Sequence, residues 1–248
     1  MAYVALYRTW RPQDFDDLVG QAPIKKALTN ALETGRISHA YLFAGPRGTG
    51  KTSTARILAK ALNCEKGPTA HPCNQCSNCR EITEGTCGDV VEIDAASNRG
   101  IDEIRKLREQ VYFAPTSCRY KVYIIDEVHM ITTDAFNALL KTLEEPPEHV
   151  VFILATTEKH RILPTILSRC QVYDFMRMSV QDTIEHLQRV AEKEGYETEP
   201  DALNLIAQKA DGGMRDALSI FDQMVSFTGG KLTYQNVCQS LNVLSTEY

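Results

Sequence analysis

The apolar positions of this chain fall into short dense runs separated by stretches of helical period. Residues 41–44, 122–126 and 150–156 are nearly continuous apolar blocks, and 90–94 and 171–175 mix apolar with polar positions. Blocks this short, rich in Val, Ile, Tyr and Phe, predict strands buried on both faces of a parallel sheet. Between them, apolar residues three and four apart predict helices over 24–34, 52–63, 101–112 and 133–144, with a short helical segment at 163–168. This alternation calls for an α/β domain over 1–178, a five-stranded parallel sheet covered by helices. Beyond 177–179 the strand pattern stops. Residues 180–194, 200–210 and 214–227 carry helical period and 234–241 a weaker one, so 179–243 is expected to form a small helical domain.

The first apolar block runs into Gly45-Pro46-Arg47-Gly48-Thr49-Gly50-Lys51-Thr52-Ser53, which opens the helical stretch. Strand, glycine loop and helix start in that order suit a nucleoside triphosphate. Gly45, Gly48 and Gly50 permit a tight turn whose N–H groups point inward at phosphate oxygens, and the helix start adds its positive end. Lys51 is placed to reach the β and γ phosphates, and Thr52 to hold Mg²⁺. The other half of such a site is Asp126-Glu127, at the end of a buried strand whose C-terminal edge faces the ligand crevice. Asp126 is expected on Mg²⁺, directly or through water, and Glu127 on the attacking water. Adjacent strand residues face opposite ways, so a turn at the strand end must redirect one of them.

Cys64, Cys73, Cys76 and Cys79 form two successive C-x-x-C steps with a fourth thiol nearby, the spacing of a closed structural Zn²⁺ site. The intervening segment contains Gly67, Pro68 and Pro72 and needs the metal to fold. His71 is a competing ligand. Iron–sulfur or redox chemistry and free thiols are the alternatives, although an iron–sulfur run wants a differently placed fourth Cys followed by Pro, and Cys79 precedes Arg80-Glu81-Ile82. Cys87, Cys118, Cys170 and Cys238 read as ordinary small buried side chains.

Composition narrows the setting. The 248 residues are 43% hydrophobic and 24% charged, with a net charge of -5, which argues against coating nucleic acid by bulk charge while leaving room for local basic patches. The N-terminus lacks the apolar core of a secretion signal, and the apolar run near 150–155 is too short to span a bilayer. A cytoplasmic protein with no membrane partner is expected.

The motifs above, with Tyr7-Arg8-Thr9-Trp10-Arg11-Pro12, Asp17-Leu18-Val19-Gly20-Gln21, Asp126-Glu127-Val128-His129, Asn137-Ala138-Leu139-Leu140-Lys141-Thr142-Leu143-Glu144-Glu145-Pro146-Pro147, Ser168-Arg169-Cys170 and Gly212-Gly213-Met214-Arg215-Asp216-Ala217-Leu218, resemble the clamp-loader group of AAA+ ATPases of bacterial DNA polymerase III. The resemblance covers essentially the whole chain. It implies an AAA+ P-loop fold with an inserted zinc module at 64–79 and a helical lid, with ATP, Mg²⁺ and Zn²⁺ as ligands. It further implies a subunit that uses ATP to open a sliding clamp and place it on primed DNA, beside copies of itself and delta and delta-prime type partners.

Residue roles also follow from the resemblance. Thr157 resembles a first sensor of the γ phosphate, Arg169 a finger reaching a neighbouring subunit's nucleotide, and Arg215 a second sensor reaching back from the lid. The base is expected near Ala5, Leu6, Tyr7, Pro12 and Val19, though Tyr7 and Trp10 equally suit packing. Arg8 and Arg11 fit either the phosphates or a partner surface. Asn98, Arg99 and Arg105 correspond to positions that track template DNA, and Lys141 to a network between subunits. The family carries a third, collar-forming domain, so 244–248 is expected to be the end of a fragment of a longer subunit. A non-hydrolysing wedge subunit and an AAA+ motor acting on recombination junctions are the competing readings. Intact Lys51, Thr52, Asp126 and Glu127 argue against the first, and the cysteine module and Ser168-Arg169-Cys170 against the second.

Overall fold

The computed structural model describes residues 2–98 and 100–241. In chain order, a four-residue helix α1 (Leu6–Thr9) and α2 (Ala22–Thr34) precede strand β1 (Ala40–Ala44), which leads through the glycine loop into α3 (Lys51–Asn63). Then follow α4 (Ser77–Glu84), β2 (Val90–Asp94), α5 (Ile101–Gln110), β3 (Lys121–Asp126), α6 (Thr133–Glu144), β4 (Val150–Thr156), α7 (Pro164–Leu167) and β5 (Gln171–Asp174). The five strands pair in parallel in the order β2-β3-β4-β1-β5. β1 and β4 are buried at every position, as their unbroken apolar character requires.

Alternation along the strands sends side chains into two cores. Tyr41, Phe43, Ile124 and Ile153 pack against Leu28 of α2 and Leu58 and Leu62 of α3 on one face. On the other face, Leu42, Tyr123, Ile125, Phe152 and Leu154 pack against Ile104 of α5 and Phe136 and Leu139 of α6. Two helix ends show their local cause. Thr132 caps α6 by accepting the Ala135 N–H at 3.3 Å, and α4 ends at Gly85 in the left-handed conformation.

The helical part comprises α8 (Val180–Glu194), α9 (Pro200–Ala210), α10 (Met214–Thr228) and α11 (Tyr234–Ser240). Leu187, Val190, Ile206, Leu218 and Phe221 form its core. Leu6 joins that core, with Tyr7, Trp10 and Val19 packed alongside, so the N-terminal segment packs side chains against the helical part despite its place in the sequence.

Several elements differ from those the sequence predicts. α5 stops at Gln110, leaving Tyr112 and Phe113 exposed in a turn. α4 begins inside the cysteine insertion and runs on to Glu84, where no helix is expected. A two-residue parallel pair, β6 (Glu197–Thr198) with β7 (Lys231–Leu232), interrupts the helical part. Cys87 and Cys238 are buried, whereas Cys118 and Cys170 are only partly so. Arg99 and 242–248, including the expected fragment end, lie outside the described residues. Among the described residues no helix is long and apolar enough to cross a membrane.

Candidate functional site

The C-terminal edge of the sheet, the N-terminal segment and the helical part enclose a cavity of about 930 Å³. Its polar lining includes Arg47, Gly48, Gly50, Lys51, Thr52, Ser53, Asp126, Glu127, Thr157 and Arg215. The same wall also carries Tyr7, Trp10, Arg11, Pro12, Leu18, Val19, Met178, His186, Met214 and Leu218, most of them apolar or aromatic. A wall that combines phosphate-type polar groups with apolar and aromatic side chains suits a ligand with an anionic tail and a flat ring.

The glycine loop is shaped by what a side chain would strike. At Gly45, with φ 155°, an added Cβ would stand 2.4 Å from the Phe175 carbonyl oxygen. Gly48 has φ 76° and lies against the helical part: its carbonyl accepts the Met214 N–H at 2.9 Å, at the first residue of α10. The loop and the start of α10 are therefore joined by a backbone bond. Lys51, 5% exposed, donates to the carbonyls of Gly45 at 2.8 Å and Pro46 at 2.7 Å. Burial pushes its ammonium below the usual lysine range, while Glu127 and Asp126 oppose that shift.

The acidic pair sits opposite. Thr52 donates its hydroxyl to Asp126 Oδ2 at 2.7 Å, two oxygen ligands side by side of the kind Mg²⁺ takes. Glu127 adopts φ 51° and ψ 43°, a left-handed conformation that costs a non-glycine residue roughly 1–2 kcal/mol. Its N–H donates to Asp126 Oδ1 at 2.9 Å, which helps hold the turn. This turn lets two adjacent carboxylates line one cavity. The Thr157 hydroxyl donates to Glu127 Oε2 at 3.0 Å, and Arg215 stands 4.9 Å over the Tyr7 ring. The Tyr7 phenol is drawn below its usual range, first by a hydrogen bond from Arg8 at 3.3 Å and further by Arg215.

Other expected site residues lie elsewhere. Gly45 and Pro46 line a smaller adjoining cavity of about 460 Å³. Thr49 is buried, with its hydroxyl on the Pro46 carbonyl at 2.8 Å. Ala5 and Leu6 are absent from the cavity wall, Leu6 being committed to the helical core. Arg169 also lies off this cavity, held by Glu144 and the Thr165 carbonyl at 2.7 Å each. Asn98 binds the Asp94 carbonyl at 3.1 Å, Arg105 pairs with Asp102 at 3.7 Å, and Lys141 is exposed on α6.

Three features escape sequence reasoning. His129 is buried, with Nδ1 2.8 Å from the Thr156 hydroxyl and Nε2 3.4 Å from Glu127 Oε2. The tautomer protonated on Nε2 satisfies both contacts, because the Thr156 hydroxyl also accepts the Glu158 N–H at 3.0 Å. Arg56 and Glu92 form a bidentate pair, both bonds 2.8 Å, along the cavity wall. His186 lies edge-on to Trp10 in the cavity wall, and its buried Nδ1 has no hydrogen-bond partner among the described residues. The adjacent Asp126-Glu127-Val128-His129 run was the only available signal for His129. Nothing in the sequence connects His186 to a loop so far upstream.

The four cysteines converge. The sulfurs of Cys64, Cys73, Cys76 and Cys79 all lie within 4.8 Å of one another, as tetrahedral ligation of Zn²⁺ requires. Cys73 Sγ accepts N–H bonds from Gln75 and Cys76 at 3.4 and 3.2 Å, which pull its thiol down to about 6, the direction that supplies a thiolate. Burial pushes the Cys79 thiol the opposite way. Cys76 Sγ caps α4 by accepting the Cys79 N–H at 3.4 Å. His71 is no ligand here: it is exposed and 4.0 Å from Asp16.

Comparison with known proteins places this arrangement. A family profile described as DNA polymerase III, delta subunit, matches residues 20–179, and one described as DNA polymerase III clamp loader subunit, ATPase lid domain, matches 183–230. The chain is 46% identical to DNA polymerase III subunit gamma of Buchnera aphidicola across 100% of this chain and 69% of that protein. It belongs to the tau/gamma family of DNA polymerase III clamp-loader subunits. Within that family it is 56% identical to subunit tau of Bacillus subtilis and 50% identical to that of Escherichia coli. It spans 44% and 38% of those two proteins' lengths. A solved structure of Thermotoga maritima RuvB, described as a Holliday junction branch migration motor, aligns with a TM-score of 0.71 at 22% identity over 95% of this chain and 73% of that one. That likeness is one of fold.

Proposed function

We propose that this chain is the ATP-binding and ATP-hydrolysing motor of a clamp loader, with 1–178 as nucleotide-binding domain and 179–243 as lid. The observation that carries the reading is the meeting, in one cavity, of the Lys51 loop, the Thr52–Asp126 oxygen pair and Glu127. The triphosphate lies along 45–53 and the adenine in the slot of Tyr7, Pro12, Val19 and His186. Lys51 exchanges the Gly45 and Pro46 carbonyls for β and γ phosphate oxygens. Thr52 and Asp126 would hold Mg²⁺, whose chemistry is to neutralise phosphate charge. Glu127 orients the attacking water and receives its proton as the new P–O bond forms and the bond to ADP breaks. Thr157 and His129 fix the direction of the Glu127 carboxylate, and Arg215 reaches the γ phosphate from the lid.

Arg169 is no part of its own cavity wall, and in this reading its guanidinium leaves Glu144 to serve a neighbouring subunit's phosphates. The partners that follow are copies of this chain, delta and delta-prime type subunits, a sliding clamp and primed DNA, with Asn98, Arg99 and Arg105 on the DNA side and Lys141 between subunits. A cytoplasmic setting accords with this. The deciding experiment measures ATP turnover by the full-length subunit assembled with those partners. Clamp and primed DNA together should raise the rate. A rate raised only by four-way junctions, or by nothing, would overturn the reading.

A further inference from the structure

Lys60 lies on α3, is 2% exposed, and lines no part of the nucleotide cavity. A buried ammonium is costly unless its three N–H groups find acceptors. Here they do: the Gln13 carbonyl at 2.7 Å, the Gln13 amide oxygen at 3.0 Å and Asn74 Oδ1 at 2.8 Å. These acceptors belong to two distant places. Asn74 stands between the sulfur ligands Cys73 and Cys76, with φ 57°. Gln13 follows Arg11 and Pro12 of the cavity wall, and its amide N–H donates back to the Arg11 carbonyl at 3.1 Å. From α4, Thr83 also donates to the Gln13 amide oxygen, at 3.4 Å. Four thiolates around Zn²⁺ would carry a net charge of about -2, next to which a buried ammonium is favoured.

We propose that Lys60 is a positioning residue that ties the metal-bound cysteine module to the base end of the nucleotide cavity. It presents its charge to the zinc–thiolate centre and its hydrogen bonds to Gln13, so that an ordered knuckle at 73–76 holds the Arg11–Pro12 wall in place. The module is thereby a buttress of the nucleotide site. This rests on the nucleotide reading above. Because coupling between two binding sites is reciprocal, zinc must strengthen ATP binding by the same factor by which ATP strengthens zinc binding.

The test measures both factors: Mg²⁺-ATP affinity with and without zinc, and zinc affinity by competition with a zinc-selective chromophoric chelator, with and without Mg²⁺-ATP. For the wild-type protein each factor is expected to be about 10, within the span typical of coupled sites. Lys60→Met should still bind one zinc but bring both factors below about 3, through ATP affinity and not through the rate of the bound complex. Asn74→Gly keeps the left-handed backbone, removes one acceptor, and should lower the factors in the same direction even where Lys60→Met fails to fold. Wild-type factors near unity, or factors unchanged in Asn74→Gly, would overturn the proposal. ATP binding without coupling contradicts the buttress alone, whereas no ATP binding by the zinc-loaded protein contradicts the proposed function itself.

Discussion

Replacing Lys51 with Met removes the ammonium while keeping most of the buried stem. In the structure that ammonium makes bonds to the Gly45 and Pro46 carbonyls and is held below its usual pKa range by burial. Two opposed terms therefore act on stability. Loss of two charged hydrogen bonds costs on the order of 1.5 kcal/mol each, and relief of the desolvated charge returns a similar sum, so the net change should stay within about 1 kcal/mol. Nucleotide binding has no such cancellation. Two charge-assisted phosphate contacts at about 1.5 kcal/mol each give about 3 kcal/mol, or roughly 150-fold in Kd. Isothermal titration with Mg²⁺-ATP, alongside thermal unfolding, measures both. A variant that unfolds cooperatively near the wild-type temperature and binds ATP at least 50-fold more weakly is expected, using the same estimate. Unchanged affinity in a folded variant would refute the phosphate role of Lys51.

If Arg169 acts on a neighbour's nucleotide as proposed, Arg169→Ala should leave nucleotide affinity nearly unchanged and cut stimulated turnover of the assembled complex by about 100-fold or more, as measured by phosphate release, because such a contact is made in the transition state. The purified protein should contain one tightly held Zn²⁺ by elemental analysis, and Cys76→Ser should lose it and lower the unfolding temperature; a metal-free wild type of equal stability would contradict four-sulfur ligation. Burial holds His186 below the ordinary histidine value of 6.5, with Arg189 adding to the shift and Asp17 opposing it. The unfolded chain thus takes up that proton more readily, so the stability from neutral His186 is present above 6.5 and lost as pH falls through the lower folded value. His186→Phe should flatten denaturant-measured stability over that window, and an unaltered pH slope would remove His186 as its source.

The fold was legible wherever a local rule and a tertiary need agreed. β1 and β4 are buried along their whole length, and their unbroken apolar runs say so. The glycine loop was legible because steric need is written into it, as the 2.4 Å approach at Gly45 shows. α4 was not, since the segment is polar and its first turn is organised by sulfur: Cys76 caps the helix that carries Cys79. β6 and β7 are two residues each, too short for any periodicity. At the site, Lys51, Thr52, Asp126, Glu127 and Thr157 were readable from spacing or resemblance. His186 and Lys60 were not, because each owes its place to packing between segments far apart in the chain, and the run that sets His129 beside Glu127 does not show its bond to Thr156. The placement of Leu6 in the helical core has the same origin.

If the cavity binds Mg²⁺-ATP and Glu127 directs water at its γ phosphate, the Glu127 carboxylate is needed for cleavage and not for binding. Single-turnover hydrolysis of γ-labelled ATP by the assembled complex with clamp and primed DNA, comparing wild type with Glu127→Gln, tests it most directly. Gln keeps the size of the side chain but cannot take the proton. Glu127→Gln should keep ATP affinity within about 3-fold of wild type and lower the cleavage rate by roughly 100-fold or more, the range for loss of a general base. Equal cleavage rates at equal occupancy would contradict it.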